Sequence, residues 1–208
     1  MQERFVINIG RQIGSGGKSI GERLARRLGI RLYDKELINL AAEESGFAVE
    51  HFEQADEHKR KGLISNLVSH LRTSYVGSRS PISGDALFQI QSDVIRRVAE
   101  RESCIFVGRC ADYILRDHPR CVNIFLTADD DDRIRRITAR TGCCDDEARA
   151  MLERIDDRRA TYYNYYSSRT WGVASTYDLT INTSALGEEE TTELLLDFIT
   201  RKLNLPQS

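Results

Sequence analysis

A chain of 208 residues, 40% hydrophobic and 30% charged, is long enough to bury one sizeable α/β core with room for a small inserted subdomain. Its formal net charge of −2 removes any overall electrostatic drive toward nucleic acid or an anionic membrane surface. Five cysteines, odd in number and without a Cys-x-x-Cys spacing, argue against both a zinc site and a complete disulfide framework.

The chain opens on a strand that runs into a glycine loop. Phe5-Val-Ile-Asn-Ile9 is apolar on nearly every position, as a strand of a parallel sheet covered on both faces must be. Residues 10–19, Gly-Arg-Gln-Ile-Gly-Ser-Gly-Gly-Lys-Ser, carry four glycines and lead into a helix. The inward stripe of that helix is Ile20, Leu24, Ala25 and Leu28, with Arg23, Arg26 and Arg27 opposite and Gly29 as its stop. A buried strand, a Gly-rich turn and a helix N-terminus make a phosphate cradle, because glycine lets backbone N–H groups approach an anion and the helix dipole adds to their pull. Gly14, Ser15, Gly16, Gly17, Lys18 and Ser19 are the candidate residues for holding donor phosphates. Residues 30–33 form a short second strand that delivers Asp34 to the C-terminal edge of the sheet, where ligands bind in open α/β folds. Asp34 also fits a plain N-cap for a helix over residues 35–44, which ends at Gly46.

Residues 47–100 are polar and contain no strand run. They carry two helical stripes, Leu63, Leu67, Leu71 and then Leu87, Ile90, Val94, Val98, separated by a Ser-, Gly- and Pro-rich loop over residues 75–84. A mostly helical excursion above the sheet is expected, with that loop as its mobile part. Asp56-Glu57 reads as an exposed helix pair.

The strand–helix rhythm then resumes. Cys104–Val107 is a strand followed by Gly108-Arg109 and a short helix to Leu115; Pro119 precedes a strand over 121–126. The acids of Thr-Ala-Asp-Asp-Asp-Asp-Arg133 fit the positive start of a helix and the arginines its later turns. Gly142 separates that helix from a longer one over 145–165 that holds Arg154, Arg158 and Arg159, and the loop over 167–176 contains the sole Trp. Leu179–Asn182 is the last strand, and a helix over 188–203 turns Leu194, Leu195, Phe198 and Ile199 inward. Five strands alternating with helices, without an internal repeat, predict a single parallel α/β sheet with right-handed crossovers. Cys104 and Cys121 sit in apolar runs as core residues, and the vicinal Cys143-Cys144 reads as surface thiols of a reducing cytoplasm. No apolar run approaches the ~20 residues of a membrane span and the opening Met-Gln-Glu-Arg has no signal-peptide core, so a cytoplasmic protein is expected.

The C-terminal edge of such a sheet gathers residues 10–19, Asp34, Arg109 and the Asn182-Thr183-Ser184 turn, with Arg133, Arg136, Arg154 and Arg158 on the helical pair beyond the fourth strand. Phosphoryl transfer requires these parts, since its catalysis is mostly positioning and cationic clamping of charge spread over oxygens. Two phosphorylated substrates need two anion sites, and forked guanidinium groups suit both. Each part has a plainer reading as well. A glycine turn serves many phosphate ligands. Arg109 could be a structural ion-pair partner, Arg133, Arg135 and Arg136 a solvated face beside four aspartates, and the run Tyr162-Tyr-Asn-Tyr-Tyr166 the packed end of a helix rather than a platform for a base.

In order along the chain, the Gly-Ser-Gly-Gly loop, Leu-Ala-Arg-Arg-Leu-Gly29, Tyr33-Asp-Lys-Glu-Leu37, Val107-Gly-Arg-Cys-Ala-Asp-Tyr-Ile-Leu115 and Tyr177-Asp-Leu-Thr-Ile-Asn-Thr-Ser184 resemble the cytidylate-kinase-like family, relatives of bacterial CMP kinases among the P-loop nucleoside monophosphate kinases. The resemblance spans nearly the whole chain, least so at 47–100. It implies a P-loop NTP hydrolase-like three-layer α/β fold with a five-stranded parallel sheet. The core would be residues 1–46 and 101–208, with a LID at about 140–176 and a helical NMP-binding insertion at 47–100. By position it implies that Asp34 lies near the metal and acceptor, and that Arg109 contacts the acceptor phosphate. Arg133 and Arg136 match an Arg-x-x-Arg before the LID, and Arg158, three residues after Ile155, the LID-helix arginine that reaches the transferring group. CMP kinases carry Gly-Arg-Asp where this chain has Gly108-Arg109-Cys110, which puts cytosine specificity in question.

The opening loop departs further. The pattern G-x-x-x-x-G-K-[ST] asks for glycine at position 12, which is Gln12. Laying the stripe of the first helix on an ordinary kinase helix without gaps puts the catalytic lysine position on Gly17. Lys18 then falls about 100° round the helix, while Ser19 keeps the hydroxyl position that faces Mg²⁺. Either Lys18 reaches the phosphates through a reshaped loop or Arg11 replaces it from the other side; the family's tendency toward arginine at that place favours Arg11. The resulting expectation is transfer of the γ-phosphoryl group of ATP·Mg²⁺ to a small phosphorylated acceptor, CMP or dCMP. Arg11 and Lys18 would hold the donor, Ser19 and Asp34 the metal, Arg109 the acceptor phosphate, and Arg133, Arg136 and Arg158 the developing charge. The partners expected are small nucleotides, with no nucleic acid and no membrane. The rivals are a kinase of another small molecule, suggested by Cys110, and a nucleotide-binding sensor without turnover, suggested by Gly17.

Overall fold

The computed structural model describes residues 4–35, 38 and 84–206. The expected helix beyond residue 38, the stripe of Leu63, Leu67 and Leu71, the Asp56-Glu57 pair and nearly all of the 75–84 loop lie outside these residues.

Five strands form one parallel sheet: β1 Val6–Arg11, β2 Arg31–Tyr33, β3 Cys104–Val107, β4 Cys121–Thr127 and β5 Leu179–Asn182, in the spatial order β2-β3-β1-β4-β5. β1 takes the centre, where it pairs with β3 from Val6↔Cys104 and with β4 from Val6↔Cys121. Alternation along the strands divides the core into two layers. Ile7 and Ile9 of β1, Ile105 and Val107 of β3 and Val122, Ile124 and Leu126 of β4 share one face. There they meet Ile20 and Leu24 of α1 Gly17–Leu28 and Leu195 and Ile199 of α6 Gly187–Leu203. Val6, Cys104 and Phe106 face the other way, onto α2 Gly84–Arg101, the single-turn α3 Ala111–Ile114 and Tyr163. A smaller cluster of Ile13, Ile134, Ile137, Ala148 and Leu152 joins α4 Asp130–Thr141 to α5 Asp145–Ser167.

The later helical stripe of the polar stretch is real but serves a different purpose. Although α2 falls within the stretch read as an excursion, Phe88, Val94, Ile95, Val98 and Ala99 pack it directly on the sheet. Helix ends follow the chemistry read from the sequence: Gly29 and Gly142 close α1 and α4 in the left-handed conformation, and Asp130, Asp131 and Asp132 occupy the first turn of α4. The long α5 runs two residues further than expected, and its start is closed by Glu147, whose carboxylate accepts the Cys144 N–H at 3.1 Å. Cys104 is fully buried and Cys144 exposed; none of the five cysteines is in a disulfide. No described helix is long and apolar enough to cross a membrane.

Because the chain leaves β1 toward β2 on one side and later crosses from β3 to β4 on the other, the segments after β1, β3, β4 and β5 converge above the centre of the sheet. That crevice is where an open α/β sheet binds ligands.

Candidate active site

The loop after β1 is shaped by two left-handed glycines, Gly14 (φ 76°) and Gly16 (φ 77°). A Cβ on Gly14 would lie 2.8 Å from the backbone of Arg133, so the loop can lie against α4 only with glycine there. Ser15 is fully buried; its hydroxyl donates to Gln12 O at 2.8 Å and locks the turn. Gly16 caps α1 with no side chain, so the first amides of the helix are not satisfied by a cap and face the crevice, an arrangement suited to phosphate.

The carbonyls of the same stretch are held by side chains. Arg159 Nη1 donates to Arg11 O at 3.1 Å, Arg133 Nε to Ile13 O at 2.8 Å, Arg136 Nη1 to Gly14 O at 3.0 Å and Thr183 Oγ1 to Ser15 O at 2.9 Å. The acid behind them is Asp156, which accepts the Ile13 N–H at 2.9 Å and pairs with Arg133 and Arg159. Burial pushes the Asp156 carboxyl up, against the Ile13 N–H and the charges of Arg133 and Arg159, and pushes the Arg159 guanidinium down, against the charge of Asp156.

A cleft of about 1110 Å³ joins this loop to the end of β3, to α4 and to the inner side of α5. Lys18, Ser19, Asp34, Arg109, Arg136 and Arg158 all line it, as does Arg11. The two cations expected for the donor phosphates are separated by their neighbours. Lys18 turns to Asp34, with Nζ 3.1 Å from the carboxylate, and Asp34 is only 5% exposed on its side chain. Arg11 runs across the helix start instead: a Cβ at Gly17 would sit 2.8 Å from Arg11 Cβ, and one at Gly108 would be 2.1 Å from Arg11 Nη1. The space that a side chain at Gly17 would enter is occupied by the stem of Arg11.

Arg133 is placed differently from expectation. It is 5% exposed, does not line the cleft, and spends its guanidinium on Ile13 O, Asp130 and Asp156. Its place toward the cleft goes to Arg140 and Arg159, which the sequence reading did not single out. Arg136 lines the cleft while bonding Gly14 O and Thr183 Oγ1, and Arg154 is exposed away from it.

At the end of β3 three consecutive residues are left-handed, Gly108 (φ 79°), Arg109 (φ 60°) and Cys110 (φ 55°). Two non-glycine residues held this way store strain where the chain presents Arg109, whose guanidinium lies 5.3 Å from the centre of the Tyr162 ring. The tyrosine run divides accordingly: Tyr166 stacks on Phe88 at 4.0 Å, as packing predicted, while Tyr162 and Tyr163 line the cleft. The Cys110 thiol is pushed up to about 12, mainly by burial, with Asp112 raising it further against the pull of Arg109, and is therefore neutral. Tyr163 OH donates to Asp112 at 2.6 Å.

Burial raises the Asp112 carboxyl above its ordinary value, against the Tyr163 hydrogen bond and the charge of Arg169. An acid whose pKa is higher folded than unfolded gives its full stability below the unfolded pKa and loses it as pH rises through the folded one. Asp112→Asn is therefore expected to melt above wild type at pH 7, with the gap closing as pH falls toward 4. A gap that stays constant in a pH series of thermal melts contradicts this.

The profile of the cytidylate kinase-like family matches residues 6–185, from β1 through the turn after β5. The chain belongs to that family. The family is described as cytidylate kinase-like, and kinases are among the solved structures whose fold the chain shares. A cytidylate kinase of Halobacterium salinarum is 28% identical over 115 residues, covering 53% of this chain; the chain spans 59% of that relative's length. An uncharacterized protein from Eubacterium ventriosum superimposes with a TM-score of 0.73 at 27% identity, over 94% of this chain and 98% of that one. Shikimate kinase from Bacteroides thetaiotaomicron (TM-score 0.53, 18% identity, 97% and 99% covered) and a gluconokinase from Sinorhizobium meliloti (TM-score 0.53, 15% identity, 97% and 96% covered) share the P-loop kinase fold.

Proposed function

We propose that the protein transfers the γ-phosphoryl group of ATP·Mg²⁺ to a small phosphorylated acceptor, CMP or dCMP first among them. The observation that carries this reading is one cleft in which a glycine loop, Arg11, Arg109 and Arg158 face a common space. The donor phosphates would lie on the amides of residues 14–19. Arg11, anchored on the central strand and passing Gly17 to reach Gly108, would bridge the oxygens between which charge moves. Arg109, aimed by its strained backbone and by Tyr162, would hold the acceptor phosphate in line, and Arg158 would approach from α5.

The residues suit a magnesium ion held chiefly by phosphate and water. Ser19 offers a hydroxyl at the loop, Asp34 a carboxylate that Lys18 already balances, and no cluster of three or more metal-binding side chains occurs among the described residues. When bound, the metal supplies charge neutralisation on the donor phosphates; orientation and closure are the work of the side chains.

The buried neutral Cys110, in place of the aspartate of CMP kinases, favours a second reading in which the acceptor is another small molecule. Coupled ATP consumption over a panel of nucleoside monophosphates, shikimate and gluconate separates the two. Turnover with CMP or dCMP above the rest is expected. Turnover confined to a different acceptor selects the second reading, and ATP binding without turnover of any acceptor defeats both.

A further inference from the structure

We propose that Asp156 is a positioning residue for the donor phosphates: from α5 it fixes the conformation of the phosphate loop through Ile13, Arg133 and Arg159. The inference rests on the reading that residues 14–19 bind the donor phosphates.

A loop that binds an anion through its amides must turn its carbonyls away, because an inward carbonyl repels phosphate. Here the carbonyls of residues 11, 13, 14 and 15 are each taken by a side-chain donor, Arg159, Arg133, Arg136 and Thr183 in turn, at 2.8–3.1 Å. Two of those four donors are held by one carboxylate. Asp156 Oδ1 accepts Ile13 N–H at 2.9 Å and Arg159 Nη1 at 3.2 Å, and Oδ2 takes Arg133 Nη2. Ile13 is thus gripped at both of its backbone polar groups, its N–H by Asp156 and its C=O by Arg133.

Arg133 keeps a second acid in Asp130, but Arg159 has Asp156 as its ion-pair partner among the described residues. Removing the carboxylate would leave two guanidinium groups of like charge side by side and release Ile13 and Arg11 together. The same turn of α5 matters for the other half of the reaction, since Arg158 adjoins this cluster and lines the cleft. Loop and transferring-group cation are thereby set by one rigid element, so that a displacement of α5 reaches both.

The test uses the whole protein as wild type, Asp156→Ala, Asp156→Asn and Asp157→Asn, the last an exposed neighbour with the same charge change. Affinity for a non-hydrolysable ATP analogue with Mg²⁺ is measured by calorimetry, and kcat and KM by steady-state assay, all at least 20 °C below each melting midpoint. Asp156→Ala should weaken analogue binding by about tenfold or more and lower kcat further, with the acceptor KM little changed. Asp156→Asn keeps an oxygen for the Ile13 N–H and should lie between, and Asp157→Asn should stay within twofold of wild type. If the alanine variant does not fold, the asparagine variant decides. A folded Asp156→Asn with analogue affinity and kcat within twofold of wild type overturns the inference even if its melting point falls, because that is what a purely structural pair would give. Wild type that fails to bind the analogue removes the donor-loop reading and this inference with it; wild type that binds while both Asp156 variants bind equally well removes only the inference.

Discussion

Replacing Arg11 by alanine is expected to lower kcat by about 10²–10³-fold, the range seen when one preorganised donor to developing charge is removed. The reason is its placement: the side chain starts on the central strand, crosses the first turn of α1 over Gly17 and ends at Gly108 beside Arg109. In the proposed reaction it would span the junction between donor loop and acceptor site. Arg11→Lys should recover part of the loss, since the charge returns but the planar fork that can bridge two oxygens does not. Lys18→Ala should cost much less, about tenfold, because its ammonium is committed to Asp34. Steady-state assays on the three variants check the order. If Lys18→Ala is the more damaging, Lys18 leaves Asp34 for the phosphates on binding and the assignment to Arg11 is wrong.

Gly108→Ala is expected to damage both stability and turnover. Its φ of 79° is in the left-handed region, where a Cβ costs about 1–2 kcal/mol. The new methyl carbon would also lie 2.1 Å from Arg11 Nη1, so the guanidinium must move. A melting point lower by about 2–4 °C per kcal/mol is expected for a chain of this size, together with a loss of kcat close to that of Arg11→Ala. The double variant Arg11→Ala with Gly108→Ala should then show little further catalytic loss, since both changes remove the same interaction. Gly29→Ala provides the contrast: φ is 64° but nothing lies within 4 Å of the added carbon, so stability falls while kcat holds. Additive losses in the double variant would show that Gly108 acts separately from Arg11.

The strands and their parallel arrangement were legible because burial on both faces leaves a local trace, a short run without polar residues, as in Phe5–Ile7 or Cys104–Val107. Helix ends were legible for the same reason, since Gly29, Gly142 and the aspartates before Arg133 act on their own backbone. The placing of α2 was harder. Its stripe was visible, but whether a stripe packs on a sheet or on an insertion depends on partners far along the chain. The site divides along the same line. Gly14, residues 16–19, Asp34 and Arg109 could be assigned to one sheet edge from chain order, and Arg158 to the helical pair beyond it; these line one cleft, whereas Ser15, expected with them, is buried behind it. Arg133 could not be distinguished from a ligand-binding arginine, because what separates the two is a hydrogen bond to a carbonyl 120 residues away. Asp156 and Arg159 left only a faint sign, an acid and a base three apart on one helix, which ordinary surface pairs share.

The contact between Arg11 and Gly17 bears on how such a site could arise. Counted back from Gly17 in the lysine place, the opening glycine of the usual phosphate-loop pattern falls on Arg11. The cation and the glycine have traded positions across the loop, and each makes room for the other. Neither half of the trade works alone: a lysine at 17 meets the arginine stem, and a glycine at 11 beside Gly17 leaves no charge. Passage between the two arrangements would therefore take paired replacements, and the reciprocal double variant Arg11→Gly with Gly17→Lys is the sequence that makes both at once.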